Sequence, residues 1–443
     1  MLNFKKTVLR VLTFLLCVTI VENTADVVIT GFAEQTVKGI YNRGEIIDMA
    51  FFGSSVVMTG CDTAVFDEAL GVHSYNLGTS QQPVAGSYYL MKELLKNHAP
   101  GKVLFCISFN QMVKIKDTLS IIILSDNMKW SLAKAELYKN EFSAEDYLDV
   151  LFPTHLYRDM FTMEAALPYL KRFAAKLNGF GPGGKSVSAQ WEKGEGPVYA
   201  GNGFVSYSDA NEQGRMGKIS GKSFAVSDIN GENVDYLKKI VALCEQNNTE
   251  LVFYIHPAPV GTVIAGHNEE LYAYFKEFAA ENSLALYNFE LVKPELFERK
   301  DEYYYDTDHL NAKGAREFGE VFAGLLGGRS AGGSVEAEDS FYASYDALYA
   351  DTRRVTNVWL EAEKAGAAFC LTAGAVCGKT VKPEYQFLFK KADEEGWRII
   401  QDYSPDFTAS VPYQSGENDM VRVNARITGS DAEYEQYDEL TVR

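Results

Sequence analysis

Two short stretches, far apart in the chain, hold residue types that can do nucleophilic chemistry together. The first is Phe51-Phe52-Gly53-Ser54-Ser55. An apolar run ending in glycine and serine lifts a hydroxyl to the carboxyl end of a strand, where open α/β sheets bind their ligands. The second is Tyr305-Asp306-Thr307-Asp308-His309-Leu310-Asn311, just ahead of a helical pattern. A carboxylate three residues before an imidazole can hold its tautomer while the ring faces a crevice. Serine is a weak nucleophile until a base takes its proton. Ser55 with His309 as base and Asp306 as its orienter would therefore make a centre for ester hydrolysis or acyl transfer. Each stretch alone has an ordinary reading: Gly-Ser-Ser recurs in turns, and Asp308 or Asn311 could simply cap a helix. His256, in Tyr254-Ile255-His256-Pro257, also ends an apolar run. It is a candidate for substrate contact, with a loop-start histidine as the other reading. His73, His98, His155 and His267 show no ligand spacing, and no metal site is expected.

For the two stretches to meet, a sheet must carry both. Ile46–Phe52 and Val103–Phe109 read as buried strands, His73–Gly78 as a brief strand and turn, and Ser87–Asn97 as an amphipathic helix ended by Pro100-Gly101. The rhythm returns with a helix over Val234–Asn247, a strand over Glu250–Ile255, a helix over Asn268–Asn282, a strand over Leu284–Phe289 and a helix over Asn311–Leu326. Strand and helix in alternation predict a parallel sheet with right-handed crossovers. Between the halves, about 110–227 is an insertion, with helices expected over Ser143–Leu151 and Met163–Leu177 and then a Gly-rich loop. Such insertions often build a substrate-facing rim. Gly327–Ser334 has linker composition, and the linker is drawn over 328–354. From Val355 onward, alternation in Tyr385–Phe389, Trp397–Ile400 and Met420–Arg426 predicts a small antiparallel β-sandwich. Tyr385, Trp397 and Tyr403 read as its core, with an aromatic contact platform as the alternative.

A serine after the first strand and Asp-x-x-His before the last helix together resemble the SGNH (GDSL-like) serine hydrolases, over about Ile47 to Leu326. The resemblance implies a flavodoxin-like three-layer α/β/α domain at 33–327 with a helical insertion. The family's Gly-Asp-Ser stands here as Gly53-Ser54-Ser55. Ser55 is thereby implied as nucleophile, His309 as general base and Asp306 as its partner. Asn76-Leu77-Gly78 resembles the second family block, which implies the Gly78 amide as an oxyanion donor beside the Ser55 amide. The third block, Gly-x-Asn-Asp in the family, reads Ile107-Ser108-Phe109-Asn110-Gln111 with its glycine absent, and implies Asn110 as a side-chain donor. The resemblance is closest to the envelope-associated branch, near proteins of teichoic-acid D-alanylation and polysaccharide O-acetylation. It implies a serine esterase or acyltransferase acting on acyl esters of cell-envelope carbohydrate, without cofactor or metal. A membrane partner supplying acyl groups would accompany the transferase reading. The rival is a non-catalytic surface scaffold or binding protein with a degenerate hydrolase fold, and the distance from Ser55 to His309 separates the two. Downstream, Pro383–Phe387, Gly396-Trp397-Arg398, Gln401–Ser404 and Val421–Val423 resemble triple-tyrosine-type sandwich modules.

The remaining features bound the partners. The chain has 443 residues and a net charge of −18, which suits two or three domains and argues against nucleic-acid binding. Gly179–Ser186 fits the phosphate-loop string GxxxxGK[ST], but no strand precedes it, no helix follows, and Pro182 removes an amide. It reads as a surface loop, and no nucleotide is expected. Lys5, Lys6 and Arg10 precede an apolar run over Val11–Val21. Residues 1–32 are read as a signal peptide or an N-terminal membrane anchor, which places the protein outside the cell membrane, secreted or anchored. Cys106 and Cys244 fall in apolar runs and are expected in the core. Cys370 and Cys377 are either paired or two free thiols.

Overall fold

The computed structural model of the chain describes residues 13, 32–42, 44, 46–114, 118–147, 150, 197–207, 216–219, 221, 223–328, 337–412 and 418–442, and the structural statements below concern those residues. The expected helix over 163–177 and the string at 179–186 lie outside them, as does nearly all of the expected leader. Among the described residues, no helix is long and apolar enough to cross a membrane.

The first half runs through α1 (Phe32–Asn42), β1 (Met49–Phe52), α2 (Ser55–Gly60), α3 (Thr63–Leu70), β2 (Ser74–Asn76), α4 (Val84–Asn97) and β3 (Lys102–Cys106). The insertion contributes α5 (Phe109–Val113), α6 (Thr118–Asp126), α7 (Leu132–Glu141) and a hairpin of β4 (Val198–Gly201) and β5 (Phe204–Ser206). The second half adds α8 (Gly231–Gln246), β6 (Glu250–Ile255), α9 (Val260–Gly266), α10 (Glu269–Glu281), β7 (Ala285–Asn288) and α11 (Ala312–Leu326). The helix expected from Ser143 departs from the sequence reading. Ser143–Asp146 is a turn, with the Asp146 carboxylate accepting from the Ser143 amide at 2.7 Å, and helical structure begins only at Tyr147.

Five strands form one parallel sheet in the order β2-β1-β3-β6-β7. This is the 2-1-3-4-5 order of flavodoxin-like doubly wound sheets, whose ligand crevice opens where the order reverses, between the first and third strands. The strands are apolar throughout because both faces are covered. Ala50, Phe52, Val103, Phe105 and Phe253 point to one face, where α4, α8 and α10 supply Leu90, Leu237 and Phe275. Met49, Phe51, Leu104, Val252 and Tyr254 point to the other, covered by α3 and α11. Residues Ala315, Phe318 and Phe322 of α11, three and four apart, make the stripe that buries that helix. Phe322 lies at its centre, with ring centroids 5.9 Å from Phe66, 5.1 Å from Tyr254 and 4.8 Å from Phe289.

The stretch drawn as a linker carries a helix in its described part, α12 (Tyr345–Asp351). Tyr345, Leu348 and Tyr349 pack there against Val263, Ile264 and Leu291. The chain then forms β8 (Val355–Ala365), β9 (Ala368–Cys377), β10 (Pro383–Lys390), β11 (Arg398–Ser404), β12 (Thr408–Pro412), β13 (Asp419–Ile427) and β14 (Gln436–Val442). Two antiparallel sheets, β11-β10-β13-β14 and β12-β9-β8, share one apolar core around Phe369, Phe387 and Val423. Tyr385 lies in that core, as expected, but Trp397 and Tyr403 do not. They lie under the guanidinium groups of Arg422 and Arg426, at 4.6 and 3.8 Å from the ring centroids. Cys106 and Cys244 are buried. Cys370 and Cys377 are free thiols on the same strand, β9. Seven residues of extended chain separate them by about 23 Å, far beyond the reach of a disulfide.

Because Phe322 fills the centre of the face covered by α11, Phe322→Ala is expected to cost about 3–5 kcal/mol of stability. Denaturant unfolding checks this; a loss below about 1 kcal/mol would mean the site collapses around the missing ring.

Candidate active site

The nucleophile candidate is placed by a forced turn. Beyond Phe52 the backbone at Gly53 takes φ +153°, and a Cβ there would stand 2.5 Å from the Val57 side chain and 3.0 Å from that of Cys106. Only glycine fits, so β1 breaks sharply into α2, whose first residue is Ser55. The fully buried Asn76, at the end of β2, ties down the same helix. Its Nδ2 donates to the carbonyls of Val57 at 2.7 Å and Cys61 at 3.0 Å. Its Oδ1 accepts from the Gly78 amide at 2.9 Å.

That last bond corrects an expectation. A backbone amide has one proton to give, and the Gly78 proton is given to Asn76, so Gly78 is not available as an oxyanion donor. Its glycine identity has another cause: a Cβ at Gly78 would approach the Met58 amide nitrogen to 2.7 Å and the Ser54 carbonyl to 3.0 Å. The residue lets the second strand pass close beneath the nucleophile turn.

The turn ahead of α11 is held by its own backbone. Tyr305 N–H donates to the His309 carbonyl at 2.8 Å, and Asn311 N–H to the Tyr303 carbonyl at 2.9 Å. Asn311 Oδ1 caps α11 by accepting from the Gly314 amide. Asp306 Oδ1 accepts from the amides of Asp308 at 2.9 Å and His309 at 2.8 Å, and both carboxylate oxygens lie 2.9 Å from His309 Nδ1. With the carboxylate on Nδ1, the ring proton resides there and Nε2 is left as an acceptor. Nε2 lies 2.8 Å from Ser55 Oγ. The structure therefore brings Ser55, His309 and Asp306 into one hydrogen-bonded line.

Electrostatics favour a basic imidazole. Burial works against the charged ring, but the Asp306 hydrogen bond and the charges of Asp306 and Asp308 outweigh it and hold the His309 pKa above the ordinary histidine value. Burial likewise opposes the Asp306 carboxylate, yet its bonds to His309 and two amides hold its pKa below the usual range.

Ser55 and His309 open onto a cavity of about 820 Å³. Asn110 and His256 line it too, so the sequence-predicted residues other than Asp306 and Gly78 share its wall. Asn110 sits exposed in the first turn of α5, at the end of β3. His256 is buried, and burial together with the neighbouring His309 pushes its pKa down to about 3. Among the described residues, no group of three His, Cys, Asp or Glu side chains could hold a metal ion.

Several wall residues escaped the sequence reading. Gln81 stands in the left-handed region at φ 51° and takes a 2.6 Å hydrogen bond from Lys114 Nζ on its Oε1. Tyr207, just after the β4–β5 hairpin and not on the cavity wall itself, stacks on His309 at 6.2 Å between ring centroids and accepts the Ala312 amide on its carbonyl. Asn268 and Glu290 also line the cavity. Position was the only available signal: Glu290 follows a strand end, and Asn268 precedes a helix.

No family model and no curated protein matches the chain. Among solved structures, it is similar to a Bacteroides fragilis protein assigned as an acylhydrolase, at 10% identity over 66% of this chain and 92% of that one, with a TM-score of 0.31. A Streptococcus pneumonia protein assigned as a platelet activating factor gives 11% identity over 66% and 91%, with a TM-score of 0.33. A two-domain esterase active on acetylated mannans gives 8% identity over 92% of both chains, with a TM-score of 0.25. Likenesses this loose carry no weight for the chemistry, which rests on the geometry above.

Because Asp306 raises the affinity of His309 for its proton, an NMR titration should show the His309 imidazole with a midpoint above about 6.5. In Asp306→Asn, burial acts with far less opposition and the midpoint should fall. A midpoint unmoved by the substitution would break the link between carboxylate and ring.

Proposed function

We propose that the protein is an SGNH-type serine esterase or acyltransferase acting on acyl esters of cell-envelope carbohydrate. The observation that carries the chemistry is the line from Asp306 through His309 Nδ1, at 2.9 Å, to Ser55 Oγ on Nε2, at 2.8 Å. His309 takes the Ser55 proton as Oγ attacks the ester carbonyl. Asp306 holds the ring and stabilises the imidazolium that forms. The tetrahedral oxyanion is assigned to the Ser55 amide at the start of α2 and the Asn110 side chain. Gln81, three residues on from Gly78 and left-handed in backbone, lines the same cavity. Collapse of the intermediate expels the alcohol, which leaves with the proton from His309. Water or a sugar hydroxyl then takes the acyl group from Ser55, with His309 again as base.

A non-catalytic scaffold would have no need of this hydrogen-bonded line, and the 2.8 Å contact supports the catalytic reading over it. The carbohydrate part of the reading is supported by the family resemblance and by the amide-rich cavity wall of Gln81, Asn110, Gln111 and Asn268. A position outside the cell membrane is supported by the basic and apolar pattern of residues 5–21.

A fluorophosphonate probe should label the native protein and not Ser55→Ala; an unlabelled native protein, or equal labelling of both, would end the proposal. The base must be unprotonated, and its pKa is raised. Activity on p-nitrophenyl acetate should therefore be full at alkaline pH and fall as pH drops through a value above that of ordinary histidine. An acid limb at or below about pH 6.5 would contradict His309 as the base.

A further inference from the structure

The catalytic cavity holds polar groups that the ester chemistry does not use. His256, at the end of β6, is only 7% exposed, and among the described residues neither ring nitrogen has a hydrogen-bond partner. Apolar contacts fix its ring instead: the edge of Phe318 lies 5.1 Å away between centroids, and a Cβ on Gly60 would fall 2.1 Å from its Cε1. Asn268 Oδ1, on the same wall, is also buried with no partner among the described residues. Glu290, buried beside them, takes the Tyr345 hydroxyl on one carboxyl oxygen.

Buried polar atoms are almost always paired, and on the wall of a cavity the missing partner is supplied by water or by a ligand. The chemistry of the three groups narrows that ligand. A neutral imidazole offers one N–H donor and one acceptor nitrogen, and the Asn268 carbonyl oxygen accepts. Burial keeps His256 neutral at physiological pH and raises Glu290 to about 7, against the Tyr345 bond and the Arg299 charge. An anionic ligand would face Glu290 and Asp308, and a cation would find no aromatic cage among these groups. Hydroxyls, which both donate and accept, match a set of neutral donors and acceptors.

We infer that His256 and Asn268, with Glu290 beside them, form a subsite that reads the hydroxyls of the polyol, sugar-like part of the substrate. The inference rests on the proposed function in one respect, that the cavity at Ser55 receives an ester. A site built to bond a hydroxyl rejects the analogue that lacks it, because its own polar atoms are then left unpaired. His256 and Asn268 thereby set specificity without touching the acyl carbon.

The test uses the full chain carrying Ser55→Ala, which leaves an ester intact. It is titrated with methyl 6-O-acetyl-β-D-glucopyranoside and with cyclohexylmethyl acetate, the same ester on a ring without hydroxyls, and affinity is read by ligand-observed NMR. The sugar ester should bind about tenfold tighter or better, and His256→Leu and Asn268→Ala should each cut that preference about threefold. His256→Gln, which keeps a donor and an acceptor, should restore part of it. Asn268 is partly exposed at a helix start, so its variant keeps the test decisive where the buried histidine variant fails to fold. Equal binding of the two esters, no binding of the sugar ester, or a preference untouched in folded Asn268→Ala overturns the inference. If the sugar ester is preferred but native Ser55 takes no fluorophosphonate, the catalytic reading fails and the subsite stands. If Ser55 is labelled and no preference appears, the subsite fails and the catalytic reading stands.

Discussion

The hydrogen bond between Ser55 Oγ and His309 Nε2 joins residues 254 positions apart. A contact of that span survives only if each end is fixed independently, since closing so long a loop for one flexible pair costs more entropy than the bond returns. At one end, Gly53 forces the break from β1 into α2, and Asn76 clamps that helix from below. At the other, two backbone bonds and the Asp306 carboxylate fold Tyr305–Asn311 into a closed turn. The parallel sheet joins the two ends: β1 and β3 flank the reversal of strand order, and α11 packs its phenylalanines onto the sheet face beneath.

Much of this frame is legible in the residues. Strands buried on both faces are continuous apolar runs, and β1, β3 and β6 are written that way in the chain. The Ser55 and Asp306–His309 stretches are legible because their geometry is local, a turn after a strand and a turn before a helix. The oxyanion donors are not. Whether the Gly78 amide is free depends on where the Asn76 side chain turns, a tertiary fact that spacing does not carry. Gln81 escapes notice because its left-handed backbone is a conformation that glutamine does not advertise. The apolar triplet of α12 is masked by the Gly-rich stretch before it. Trp397 and Tyr403 read as core by their type, yet arginine stacking is what satisfies them.

The carboxyl-terminal sandwich is joined to the wall of the Ser55 cavity. Asn357 of β8 donates to the Gly217 carbonyl at 3.0 Å, and Lys218 pairs with Glu361 of the same strand. Ile219 and Gly221, in the segment so held, line the cavity with Ser55. Tyr345 of α12 reaches Glu290 in the same way. The outer boundary of the cavity is thus held partly by contacts from β8.

Ester chemistry at this site requires that Ser55 become covalently acylated. Rapid mixing of the native protein with p-nitrophenyl acetate, acid quenching within the first turnover and peptide mass spectrometry measure that directly. The structure predicts an acetyl group on the peptide carrying Ser55, at Oγ, formed as p-nitrophenol is released. Ester turnover with no acyl adduct, or with the adduct on another side chain, would contradict it.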